Sequence, residues 1–314
     1  MGSMLKTITS KIAVSVALGM VLNLSAAYRI PVMAAPANET SVSVQVKFEQ
    51  GAYVDWSKGA ESEIVATGLG YSPENLVGRG IGLAKRAAIV DAYRMLAETI
   101  KGVQVDADTT IESMIVQNDT VRTNVSALIK GAKIVSEGKS DDGGYYVKMS
   151  LPMFGMNQSV ASTVLPDVTK NIVSEPAPKV DEKTTPLTKE EVKEVRSVTY
   201  TGIVVDASGL GLEATFSPVV YDTNGRAIYG MKNINKDYAI SKGMVEYSTD
   251  VQAAAGGSTR AGANPLVVKA TAVKGGGNSI NPVNVVVSVE DGDKILLANE
   301  KAPLLNECAV VFVK

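Results

Sequence analysis

The chain has no histidine among its 314 residues. That absence removes the commonest general base and the commonest metal ligand together. It has one cysteine, Cys308, so no disulfide can close within it. Cys308 heads the apolar run Cys308-Ala309-Val310-Val311-Phe312-Val313. A thiol in such a run reads as a small core residue, because reactive thiolates need electropositive, partly exposed surroundings. Aromatic residues make up only 5%, and Trp56 is the sole tryptophan. Rings of the kind that line sugar clefts are therefore scarce, and Trp56 reads as a packing or interface residue, a candidate partner contact. Long apolar runs are missing too. The stretch Ile12 to Leu22 is shorter than the roughly 20 residues that span a bilayer.

The first residues instead form a targeting pattern. Lys6 and Lys11 give a basic start, and Ile12 to Leu22 an apolar centre. Small residues then offer cleavage after Ala27 or after Ala34 or Ala35. Residues 1–35 are read as a signal peptide, which implies an exported protein with no transmembrane segment after cleavage. No cysteine lies near the cleavage sites, so the mature chain is expected to be unlipidated. Removing residues 1–35 takes away Lys6, Lys11 and Arg29 and no acid, which moves the formal net charge from −2 to −5. A mildly acidic surface offers nothing to a phosphate backbone, so no nucleic-acid partner is expected.

Within residues 36–62, Val42, Val44, Val46 and Phe48 alternate as in a strand, and Glu63 to Leu69 reads as a second. Ser72-Pro73 is a helix-start signal. From Ile81 to Ile100 apolar residues wrap most of a helix, leaving Asp91, Arg94, Glu98 and Lys101 on a narrow polar stripe. A helix this apolar needs a sheet beneath it and a neighbour beside it. Gly102 ends it, and Gly131 ends a shorter helix carrying Val121, Val125, Leu128 and Ile129. Between the two, Val103 to Val116 alternates like a strand. Lys133 to Glu137 and Tyr145 to Leu151 face one another across Asp141-Asp142-Gly143-Gly144, a hairpin signal.

Residues 156–196 are rich in proline and charge and read as an extended linker, with one short helix starting at the capping box Thr188-Lys189-Glu190-Glu191. Residues 197–314 are rich in strand candidates: Val198 to Val205, Ala214 to Tyr221, Leu266 to Val273, Val283 to Val289 and Cys308 to Val313. Asn224-Gly225 and Asp291-Gly292 read as turns, and Val251 to Ala255 as a short helix. The expected fold class is α+β: an antiparallel sheet with two helices on one face over 36–155, the linker, and a β-rich second domain.

Motifs that carry chemistry are weak. Gly78-Arg79-Gly80-Ile81-Gly82 lacks the third glycine of a dinucleotide fingerprint, since Leu83 stands in its place. Asp141-Asp142 and Glu290-Asp291-Gly292-Asp293 do not have the ligand spacing of a calcium loop. No cofactor and no metal site is expected. Asp91, Arg94 and Glu98 are spaced as an intrahelical ladder, while Tyr93 and Arg94 are also candidate partner contacts.

Residues Gly80 to Phe154 resemble the domain of the LPP-twenty lipoprotein family, which is also found in the flagellar H-ring protein. The resemblance rests on Ala87-Ala88-Ile89-Val90-Asp91-Ala92-Tyr93-Arg94, Gly102-Val103-Gln104-Val105, Ile129-Lys130-Gly131-Ala132-Lys133-Ile134-Val135 and Tyr145-Tyr146-Val147-Lys148-Met149. The opening Tyr200-Thr201-Gly202-Ile203-Val204-Val205-Asp206-Ala207 of the second domain is similar to a module that accompanies this family. The resemblance implies a non-catalytic structural or docking protein at the periplasm or outer-membrane periphery. It also implies partners among envelope proteins, including flagellar basal-body or outer-membrane components, and a homo-oligomer as a further state. It carries over no catalytic residue. The competing expectation is a secreted binding module or carboxylate-dependent hydrolase acting on an envelope polymer, which requires a polar pocket with two carboxylates of perturbed pKa.

Overall fold

The computed structural model describes residues 51–73, 77–276 and 280–314. The targeting segment and the strand expected through Val42 to Phe48 lie outside these residues. Four strands, β1 (Gly51–Asp55), β2 (Glu63–Gly70), β3 (Lys133–Lys139) and β4 (Tyr145–Pro152), form an antiparallel sheet in the order β1-β2-β4-β3. Helix α1 (Arg79–Lys101) lies across it. Its N-cap is Gly78, so the Ser72-Pro73 signal does not open it.

The seat of α1 follows from small residues on both sides. Ala84, Ala88 and Ala92 are fully buried and point at β2. A Cβ on Gly68 would stand 2.2 Å from the Ala88 carbonyl oxygen, and one on Gly70 2.0 Å from that of Ala84. Only glycine lets the backbones approach this closely. Further along, Leu96 and Ile100 are also fully buried, each contributing about 1.5–3 kcal/mol.

The strand expected over Val103 to Val116 does not form. A single antiparallel bridge joins Gln104 to Thr110, and the chain then enters α2 (Ile111–Gln117). The cause is local: the Asp106 carboxylate accepts from the N–H groups of Asp108 and Thr109, turning the chain. Thr110 and Ser113 then form a reciprocal cap that starts the helix. Helix α3 (Asp119–Lys130), capped by Asn118 and stopped at Gly131, and the β3–β4 hairpin stand where the sequence puts them.

The extended linker expected over 156–196 is also departed from. Ser159 and Ser162 form a capping box, and α4 (Val160–Thr169) buries Val160, Ala161, Val164 and Leu165. Those positions make an apolar helical face that outweighs Pro166 inside the helix. Regular structure resumes at α5 (Lys189–Ser197), which starts from the Thr188–Glu191 capping box.

Residues beyond 200 build a second, seven-stranded sheet. Its strands are β5 (Ile203–Asp206), β6 (Val220–Asp222), β7 (Ala227–Tyr229), β8 (Glu246–Ser248), β9 (Leu266–Lys274), β10 (Asn284–Val287) and β11 (Val310–Val313). Their order is β7-β6-β10-β9-β5-β11-β8. The pairs β5–β9, β5–β11, β8–β11 and β6–β10 are parallel, while β9–β10 and β6–β7 are antiparallel. Val310 to Val313 and Ile203 to Val205 are buried without interruption, as suits central strands covered on both faces. Helices α6 (Lys236–Lys242), α7 (Val251–Ala255) and α8 (Val289–Asn299) complete the domain.

Asp291-Gly292, read as a turn, lies inside α8 instead. The Ser288 hydroxyl caps the helix by accepting from the Asp291 N–H. Gly292 lets the helix pass close to Ile228. The two sheets share one hydrophobic core, running from Ile64 and Leu151 to Val287 and Phe312.

Candidate functional site

Trp56 follows β1 and enters the seam between the sheets. Its ring meets Phe216 at 5.5 Å, Tyr247 at 5.8 Å and Phe154 at 6.2 Å between centroids, in tilted and edge-on arrangements. The Tyr247 hydroxyl donates to the Thr215 carbonyl and accepts from the Thr215 N–H, and burial pushes its pKa well up. The Gln104 carbonyl accepts from the Phe216 N–H and the Thr215 hydroxyl, tying the first domain to the second. Trp56 is half-buried here, part of the joint that holds two domains together.

Tyr93 and Arg94 stand on α1, away from that cluster. Arg94 donates two bonds to Glu98, at 2.9 and 3.1 Å, and one to Asp91 at 2.8 Å. These bonds hold its guanidinium pKa above the ordinary value. Asp91 also accepts from the Leu69 N–H, so the ladder anchors α1 to β2. Tyr93 donates to the Lys130 carbonyl at 3.3 Å, joining α1 to the end of α3. The ladder reading of Asp91, Arg94 and Glu98 is therefore what the geometry displays.

Two surface features were not found by sequence reasoning. The first is a groove of about 460 Å³ between α3, the start of β3 and α4. Asn124, Ser150, Asn157, Gln158, Ser162 and Thr163 supply its amides and hydroxyls, and Lys133 its one cation. Gln158 on its rim has φ +52°, a left-handed backbone for a non-glycine residue. Reading 156–196 as a linker hid this groove, because Asn157, Gln158, Ser162 and Thr163, at and just before the start of α4, close one side of it. The second is β3 itself, an edge strand solvent-accessible over almost its whole length, with Ile134 44% and Val135 53% exposed. A bulge interrupts its pairing between Ile134 and Ser136.

Two charge clusters of the second domain are drawn inside. Arg226 donates to Asp222 at 2.9 Å and to Asp293 at 2.6 Å, and both carboxylates are buried. Arg260 bonds Glu246 and the carbonyl oxygens of Lys242, Gly243 and Cys308. Cys308 is fully buried, and burial pushes its thiol pKa up, as expected of a core residue. Among the described residues, no group of three or more carboxylates and cysteines is placed to hold a metal ion. No helix there is long and apolar enough to cross a membrane.

Against known families, residues 66–151 match the LPP20 (LPP-twenty) lipoprotein model, in agreement with the resemblance seen in the sequence. Residues 202–314 match the model of the second domain of Treponema pallidum Tp0624. No curated protein matches the chain. The lipoprotein match fits an envelope-associated protein. It gives no support to an unlipidated state, since the matched family is one of lipoproteins.

Proposed function

We propose that this chain, whose residues 66–151 belong to the LPP20 lipoprotein family, is a non-catalytic structural or docking component of the bacterial envelope. It works at the periplasmic side or the outer-membrane periphery and engages other envelope proteins, those of the flagellar base among them. The observation that carries this reading is β3. It is an open edge with Ile134 and Val135 turned to solvent, and an unpaired edge strand is a template for a partner strand. Lys133 and Lys139 at its ends, with the bulge at Val135, restrain indiscriminate pairing. The charged side chains near the core support the same reading, because Arg226, Asp222, Asp293, Arg260 and Glu246 are committed to one another.

A second reading, a module that binds an envelope polymer, is favoured by the amide- and hydroxyl-lined groove beside α4. The hydrolase form of that reading finds no support in the paired carboxylates Asp222 and Asp293, which are buried and bonded to Arg226. In-cell crosslinking of the tagged chain followed by mass spectrometry separates the two. Capture of basal-body or outer-membrane proteins is expected. Recovery of glycan fragments alone would replace docking with polymer binding.

A further inference from the structure

The outer face of α1 breaks two rules that the other long helix of the domain obeys. On α3 the exposed positions include Arg122, Thr123, Asn124 and Ser126, with Asp119 in the first turn and Asn118 as cap. That is the ordinary solvated face of an amphipathic helix. On α1, Arg79, Leu83, Arg86 and Val90 follow one another at spacings of four, three and four, a single line along the helix. Val90 is 68% exposed and Leu83 37%, and Val77, just before the helix, is 69% exposed. Large apolar side chains thus occupy the line furthest from the sheet.

Charge on this face is equally one-sided. From Arg79 to Val90 the helix has no carboxylate. Lys85 is paired with Glu137, but Arg79 and Arg86 have no partner among the described residues. The first turn lacks an acidic residue, and Gly78 supplies no side-chain cap. The positive end of the helix dipole therefore adds to two guanidinium groups of the same sign, neither paired among the described residues. Beyond Val90 the situation reverses, because Asp91 and Glu98 neutralise Arg94.

A convex ridge in which arginine alternates with leucine and valine suits a planar, deformable, anionic partner. Phosphate oxygens would accept from the guanidinium groups, while Leu83 and Val90 enter the boundary between headgroups and acyl chains. We propose that the N-terminal half of the α1 outer face, from Val77 to Val90, is a peripheral contact for an anionic phospholipid surface. This goes beyond the docking role, which uses β3. It gives the protein a fixed orientation, with one helix lying along the membrane.

The test is flotation of the full processed chain with phosphatidylglycerol vesicles and, separately, phosphatidylcholine vesicles. Retention on phosphatidylglycerol alone is expected, weakening as salt shortens the reach of the charges to about 3 Å near 1 M. Arg79→Gln with Arg86→Gln should weaken it about 25-fold, at roughly five-fold per cation. Leu83→Ser with Val90→Ser should weaken it as well. Both double variants alter exposed positions, and an unchanged thermal unfolding midpoint keeps the comparison clean. Equal retention on both vesicles, or wild-type binding by the arginine variant, would overturn the proposal. So would conversion of a dimer to a monomer by that variant, which would assign the ridge to a second copy of the chain. None of these substitutions touches β3, so capture of envelope proteins by crosslinking reads out separately.

Discussion

The two domains dispose of their arginines in opposite ways. Around the antiparallel sheet the ion pairs lie on the surface: Lys85 with Glu137, Arg94 with Asp91 and Glu98, Lys58 with Glu63. In the mixed sheet the arginines turn inward, where Arg226 clamps Asp222 and Asp293 and Arg260 fastens Glu246, while lysine pairs such as Lys294 with Glu290 stay outside. Exposed pairs contribute little stability, whereas a carboxylate deprived of its buried partner costs a great deal. The second domain therefore spends its arginines on its own fold. In the first domain Arg79 and Arg86 have no partner among the described residues, and a strand edge is open as well. On the proposed docking role, contact with other envelope components falls to the first domain.

That contrast can be broken most forcefully at Arg226. Arg226→Met leaves Asp222 and Asp293 buried and unpaired, and should lower stability by about 3–5 kcal/mol in urea unfolding. A variant as stable as the wild type would mean that these charges are not structural. The antiparallel sheet should fail by packing instead. Gly68→Val drives a side chain into the Ala88 carbonyl and should cost about 2–3 kcal/mol. Cys308 tests the interior of the second domain chemically. Burial raises its thiol pKa, so a thiol-specific reagent at pH 8 should label the folded chain very slowly and the urea-unfolded chain at once. Rapid labelling of the folded chain would show that the region around β11 opens.

The smallest effect is shared by both domains. Asp55 in the first and Asp206 in the second are held below the ordinary carboxylate range, chiefly by hydrogen bonds from Ser57 and Ser208. A carboxyl depressed in the folded state adds stability above its unfolded pKa and loses it as pH falls through the folded value. Both domains should therefore weaken together below about pH 4, and a pH titration followed by circular dichroism should show one transition rather than two.

Much of this was legible where one local signal prevailed. The long helix α1, the glycine stops at 102 and 131 and the Asp-Gly hairpin each act within a few residues, and each is present. The apolar wrap of α1, however, is covered along one stripe only and leaves Leu83 and Val90 exposed. The failures came where two local signals competed. Ile111 and Ile115 fit a strand alternation and a helical spacing equally, and the Thr110–Ser113 cap decided for helix. Prolines at 166, 176, 178 and 186 suggested a linker, yet the apolar face of Val160, Ala161, Val164 and Leu165 made a helix of its beginning. Asp291-Gly292 has turn chemistry, but Ser288 three residues earlier and Arg226 far away in sequence place it in α8. Of the candidate contacts, Tyr93 and Arg94 reach the surface of α1, while Trp56 is held among rings from three distant segments that no local pattern could have gathered.

The most direct test places a photocrosslinking residue at Val135 on β3 and, in a second chain, at Val267 on β9, both about half exposed. Illumination in living cells should give a discrete adduct with another envelope protein from position 135 and none from 267. Adducts from 267 alone, or none from 135, would contradict the assignment of contact to the first domain.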